Sequence, residues 1–180
     1  MAKQDKREMK KRRARRARRR WMPLGVVAAV VVAAVVGYFA YRAQADLPGV
    51  KMADQGNLHI SGEGDPHELY NSDPPTSGPH LPYIAPWGIH NRPISPELQV
   101  HNLEDGGVLV QYNCDCPDVV GKLQAIVRTY DKFVILAPYP SMKSRIALTA
   151  WTRIETMQDL EERRVRRFIE SYRGIDHHKR

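Results

Sequence analysis

Five histidines fall within 43 residues, and four of them, His59, His80, His90 and His101, are the candidate ligands. Imidazole suits zinc and copper, whereas the sulfur of Cys and Met selects copper(I). Cys114, Cys116 and Met142, further along the chain, are the soft candidates. These residue types point to a transition-metal site, copper ahead of zinc, with His59, His80 and His101 as the leading ligands and His90 next. No pair of the four has a local ligand spacing, i, i+2 on a strand or H-x-x-x-H on a helix. The fold must therefore bring them together. The competing reading is that histidines in a loop bond backbone carbonyls that lack a ladder partner.

Cys114-Asp115-Cys116 stands immediately before Pro117. A thiol at a helix N-terminus is activated by the dipole, which points to thiol-redox chemistry. The usual redox motif has two residues between its cysteines, so a structural pair competes with that reading. No nucleophile elbow, phosphate loop or paired-carboxylate signature is present, which argues against an enzyme. Glu104 and Asp105 are adjacent and read as turn residues. Arg163, Arg164, Arg166 and Arg167 alternate with Glu161, Glu162 and Glu170. Glu162 and Arg166 form an i, i+4 pair, so a solvated helix face is expected there, not nucleic-acid binding.

Charge divides the chain sharply. Residues 1–20 hold twelve Lys/Arg against Asp5 and Glu8, a net +10, while the remainder sums to −2 of the formal +8. Next comes an uncharged run, Met22 to Tyr41, twenty residues long. As a helix it spans about 30 Å, the hydrocarbon thickness of a bilayer. Trp21, Tyr38 and Tyr41 flank it as interfacial aromatics do. The expected domains are a disordered basic cytoplasmic tail (1–20), a single transmembrane helix (21–41), a linker (42–56), an extracytoplasmic domain (57–174) and a frayed tail (175–180). A cleaved signal peptide is the alternative, with Ala43-Gln44-Ala45 as its cleavage site; the apolar run exceeds the usual signal length. Gly25, Ala29, Ala33 and Gly37 recur every four residues, a small-residue stripe through which two copies could pair.

The elements that must position the histidines come in two halves. From His59 to Pro96 glycines and prolines are dense, yet Tyr70, Tyr83 and Trp87 are interspersed. This reads as a long ordered loop laid on a core, and such loops tend to carry function. Leu98–Leu103 alternates, Asp105-Gly106 is a turn signal, and Val108–Tyr112 follows. A hairpin is expected, with His101 opposite Val110. Pro117 opens a helix with Val119, Val120, Leu123, Ile126, Val127 and Tyr130 on one stripe. Phe133–Ala137 and Ile146–Trp151 read as strands. Thr156 with Asp159 resembles a capping box before a last helix that carries Leu160, Phe168, Ile169 and Tyr172 and stops at Gly174. The fold class is α+β, a small mixed sheet in the order β-β-α-β-β-α beside the Pro/Gly-rich loop.

Three segments also resemble the signatures of one family. They are residues 71–80 (NSDPPTSGPH), Val100-His101-Asn102-Leu103-Glu104 with Gly106-Gly107-Val108, and Ile146 to Trp151 (IALTAW). In that order they resemble the bacterial domain-of-unknown-function family 3105, over residues 57–174. The resemblance implies a membrane-anchored or exported domain and no established reaction. Two positions depart from the family pattern: Asp105 stands where a histidine is usual, and His90 where a tyrosine is. The expectation is a membrane-anchored extracytoplasmic domain that binds a transition metal. The alternatives are an interaction module presenting its Pro-rich loop to another envelope protein, and a thiol-redox protein using Cys114 and Cys116.

Overall fold

The computed structural model describes residues 9, 10, 13, 26–39, 41, 42 and 46–178. The chain divides into two compact units, Met1–Leu47 and Pro48–Arg180. In the first, residues 26–39 are helical. Fourteen residues rise only about 21 Å. Among the described residues no helix is long and apolar enough to cross a membrane. The helix expected over 21–41 is thus described only in part: 21–25 and 40, with Gly25 of the small-residue stripe, lie outside the described residues, as do most of the basic tail and the Ala43–Ala45 cleavage candidate.

The second unit is built on a six-stranded mixed sheet, which bears out the α+β class. Its strands are β1 (Val50–Lys51), β2 (Gly88–Ile89), β3 (Val108–Tyr112), β4 (Val134–Pro138), β5 (Ile146–Ala150) and β6 (Arg153–Met157). Their spatial order is β1-β6-β5-β3-β4-β2. The helices are α1 (Pro96–Glu104), α2 (Pro117–Val127) and α3 (Glu162–Tyr172). β3 and β4 pair in parallel, Leu109 against Ile135, so a crossover must join them, and α2 is that crossover. β5 then returns antiparallel on the other side of β3, Val110 opposite Leu148. The three central strands are covered on both faces, which is why they read as unbroken apolar runs. Leu123 and Ile126 of α2 and Phe168 and Ile169 of α3 are fully buried. Each stabilises the fold by about 1.5–3 kcal/mol through apolar burial.

The expected hairpin does not form, and the order is β-β-α-β-α-β-β-β-α. Residues 96–104 are helix α1, not a strand, and His101 does not face Val110. Three local features favour the helix. Pro96 sits in the first turn, where its missing N–H costs nothing, and Glu97 complements the dipole there. At the other end Gly106 has φ +84°. Gly107 N donates to Asn102 O at 2.7 Å and Gly106 N to Leu103 O at 3.1 Å. That is a Schellman motif, so the Asp105-Gly106-Gly107 signal ends a helix instead of turning a hairpin.

Further differences follow. Thr156 belongs to β6 and caps nothing; α3 begins at Glu162. β6 was not expected. It pairs with β5 through a turn at Trp151 and Thr152, the latter at φ 57°. β1 lies inside the stretch expected as a linker and pairs with β6. Residues 175–178, expected to fray, bond back to the body: His177 N donates to Glu104 O at 2.9 Å.

Candidate metal centre

Two structural units meet at the C-terminal turn of α1. The first is the turn itself, where His101, Glu104 and Asp105 stand at i, i+3 and i+4 and so share one helix face. The second is the Pro-rich loop, folded so that two of its strands run side by side. Gly78 N donates to Gly56 O, His80 N to Leu58 O and Ile60 N to His80 O, all at 2.8–2.9 Å. These bonds make a parallel bridge between His59 and His80. Leu81 N donates to Glu97 O and fastens the loop to the start of α1. Proline and glycine leave this segment few ladder bonds, and the bridge supplies the order they deny it.

The result is a cluster of ring nitrogens around one carboxylate. His59, His80, His101 and Glu104 each offer a ligand atom, all within 4.8 Å of one another. His80 packs edge-on against His59 at 5.0 Å and His101 at 5.1 Å between ring centres, and His59 stacks on His101 at 5.3 Å. Glu104 is fully buried. Asn57 Nδ2 donates to its Oε1 at 2.6 Å. Its Oε2 lies 2.9 Å from His80 Nε2, 3.5 Å from His178 Nε2 and 3.9 Å from His59 Nε2. Among the described residues no Lys or Arg pairs with it. A carboxylate taken from water without a countercharge is costly, so the site calls for positive charge.

The histidine geometry says where that charge belongs. His80 Nδ1 sits 2.7 Å from Gly78 O. A carbonyl only accepts, so Nδ1 carries a proton and donates. In the neutral ring Nε2 then bears a lone pair, and it faces the Glu104 carboxylate at 2.9 Å. Two acceptors at that distance require a proton or a metal ion between them. At 2.9 Å the pair is at hydrogen-bond distance; donors about 2.05 Å from a shared tetrahedral ion lie roughly 3.3 Å apart, so the two would open by only about 0.4 Å to share one. Burial pushes the His101 imidazole below its usual pKa, against the opposing field of Asp105. It is held neutral, with a lone pair to give. Its Nδ1 is buried and makes no aligned hydrogen bond, although the Leu81 backbone lies beside it. Trp151 stands edge-on to His80 at 6.4 Å and screens the cluster from one side. A cleft of about 340 Å³ lined by Asp54, Asn57, Trp151 and His177 opens next to it.

Three of the expected ligands, His59, His80 and His101, come together here. The others do not join them. His90 Nε2 donates to Pro86 O at 2.7 Å, and His90 N bonds Leu136 O at the sheet edge. Met142 is buried with Tyr139 and Ala147. Cys114 and Cys116 form a disulfide, with Cys116 at the N-cap of α2. The donors missed in the sequence are Glu104, read as a turn residue, and Asp105 and His178, which form a second group with His101. Glu104 shows itself only once residues 96–104 are taken as a helix, because His101 and Glu104 are then one turn apart.

Residues 66–179, more than half of the 180-residue chain, match the family described as "Protein of unknown function (DUF3105)". No curated protein and no solved structure matches.

Proposed function

We propose, for a chain that belongs to the DUF3105 family of proteins of unknown function, that its folded unit binds a divalent transition-metal ion through His59, His80, His101 and Glu104. The observation that carries this reading is the His80–Glu104 contact, a protonated Nδ1 on one side of the ring and a carboxylate facing the other nitrogen. Three imidazoles and a carboxylate are borderline-hard donors. They suit zinc(II) or copper(II) rather than copper(I), since Met142, Cys114 and Cys116 stand outside the cluster. The preference for copper drawn from sulfur donors therefore loses its basis, and zinc becomes the first metal to test.

We propose further that the unit stands outside the cytoplasm on a single membrane anchor. Two features support that placement. Twelve Lys/Arg precede an uncharged run of twenty residues. The helix over 26–39 also exposes Val26, Val27, Val30, Val31, Val35, Val36 and Phe39 around its whole circumference, an arrangement that suits lipid better than water. Protease added to intact cells should cut the C-terminal unit; a unit protected until lysis would reverse the placement.

The metal is tested on the full chain purified in detergent, stripped with chelator and titrated with zinc(II) and copper(II). One equivalent per chain is expected, and Glu104→Gln should weaken uptake by at least roughly tenfold. Binding below about a tenth of an equivalent to the folded chain would remove the proposal. A second reading, a docking module for an envelope protein, rests on the exposed Leu58, Leu69 and Tyr83 of the loop. It predicts a partner retained by the metal-free chain and lost on substituting those three residues.

A further inference from the structure

We infer that the segment after α3 is a latch that supplies a further ligand, His178, to the same metal ion, so that metal occupancy fastens this segment to helix α1. The inference rests on the metal reading above and extends it.

The segment is fitted to its place before any ion is considered. It runs along the end of α1, where Gly174 N donates to Gly106 O at 2.7 Å and His177 N to Glu104 O at 2.9 Å. These N–H groups satisfy carbonyls at a helix end that would otherwise need water. Gly106 is the platform. A Cβ there would meet backbone atoms of Ile175 at 2.7–2.8 Å, so only glycine lets the two backbones touch. The His177 ring stacks on Trp151 at 5.9 Å, the same indole that stands against His80.

His178 is then oriented as metal-binding histidines are. Its Nδ1 lies 2.7 Å from Asp176 Oδ1, and its backbone N donates to the same oxygen at 2.9 Å. A carboxylate behind one ring nitrogen fixes the tautomer and points the other at the ion. That other nitrogen, Nε2, is 3.5 Å from Glu104 Oε2 and 3.6 Å from Asp105 Oδ1. His80 has the same design, a carbonyl behind Nδ1 and Glu104 Oε2 before Nε2. Two imidazoles from remote parts of the chain thus converge on one carboxylate oxygen, each with its rear nitrogen already engaged. An ion at that oxygen has both imidazoles within reach, and by linkage an ion that gains a ligand from the segment stabilises its docked state.

The test uses the full chain in detergent, with zinc(II) for affinity and hydrogen exchange and cobalt(II) for its visible d–d absorption, which strengthens as coordination number falls. His178→Ala should leave one equivalent bound, weaken zinc about tenfold and intensify the cobalt bands. Asp176→Asn keeps the imidazole but removes its orienting carboxylate, and should give a smaller loss in the same direction. Zinc should slow exchange of the His177 amide in the wild-type chain and not in His178→Ala. If His178→Ala binds zinc as the wild type does, with unchanged cobalt bands and equal protection of His177, the latch is overturned while the metal site stands. Two equivalents in the wild type, one of them lost in His178→Ala, would overturn the single shared ion. A folded wild-type chain that takes up no metal ends both readings.

Discussion

Helices α1 and α3 are nearly the same length and are buried for opposite reasons. In α3 the buried residues are Val165, Phe168, Ile169 and Tyr172, at i, i+3, i+4 and i+7, and the charges face water. It is held chiefly by apolar burial, with Tyr172 Oη donating to Pro48 O at 2.6 Å. In α1 the buried set is Gln99, Val100, His101, Asn102, Leu103 and Glu104, mostly polar. Gln99, Asn102 and Glu104 each have a hydrogen-bond partner, while His101 Nδ1 has none. Asn102 holds both backbone groups of Ala85 at 2.9 Å, and Gln111 Nε2 donates to Gln99 Oε1 at 2.8 Å. Buried polar groups are tolerable only when satisfied; Glu104 meets Asn57 on one oxygen and His80 on the other, with no Lys or Arg beside it among the described residues. One helix keeps the unit folded; the other spends stability on a site.

That contrast can be broken experimentally. The largest effect should come from α3: Phe168→Ala should cost about 3–5 kcal/mol in denaturant unfolding, with zinc stoichiometry of the folded fraction unchanged. A loss under 1 kcal/mol would mean that α3 is not the prop described here. Glu104→Gln sharpens the other side. The amide keeps the Asn57 bond on its oxygen and turns a nitrogen donor toward His80 Nε2. The metal-free variant should therefore match or exceed the wild type, by up to about 1–2 kcal/mol, while zinc uptake falls. A marked destabilisation in chelator would show that the carboxylate serves the fold and not an ion. The smallest effect belongs to the outer face of α3. Arg164 bonds Glu155 at 2.6 Å and Glu161 at 2.7 Å, but it is substantially exposed. Arg164→Ala should cost no more than about 1 kcal/mol, and less in high salt.

The same contrast explains what the sequence disclosed. α2, α3 and the three central strands were legible because their apolar residues keep one period and stand between breakers. α1 was not, because its buried face is polar, and a stripe of Gln, His, Asn and Glu carries no hydrophobic period. What remained visible, Leu98 and Val100, alternates like a strand. β6 was missed because Arg153, Glu155 and Thr156 give it no continuous apolar face. Imidazole chemistry singled out His59, His80 and His101, yet it could not reject His90, whose bond to Pro86 O is a matter of loop geometry. Glu104 was hidden by the strand reading of 96–104, since its i, i+3 relation to His101 exists only in a helix. His178 meets Glu104 across 74 positions of chain, and no local spacing records that.

The bond from His177 N to Glu104 O has a consequence for how the unit is made. Its donor is synthesised 73 residues after its acceptor, with β3, α2, β4, β5, β6 and α3 in between. While a ribosome is still building those elements, the end of α1 must rely on solvent for that carbonyl. The order of manufacture therefore runs opposite to the order of closure: the helix that carries two of the candidate ligands, His101 and Glu104, emerges early, and its end is sealed only after the residues around His177 have been made.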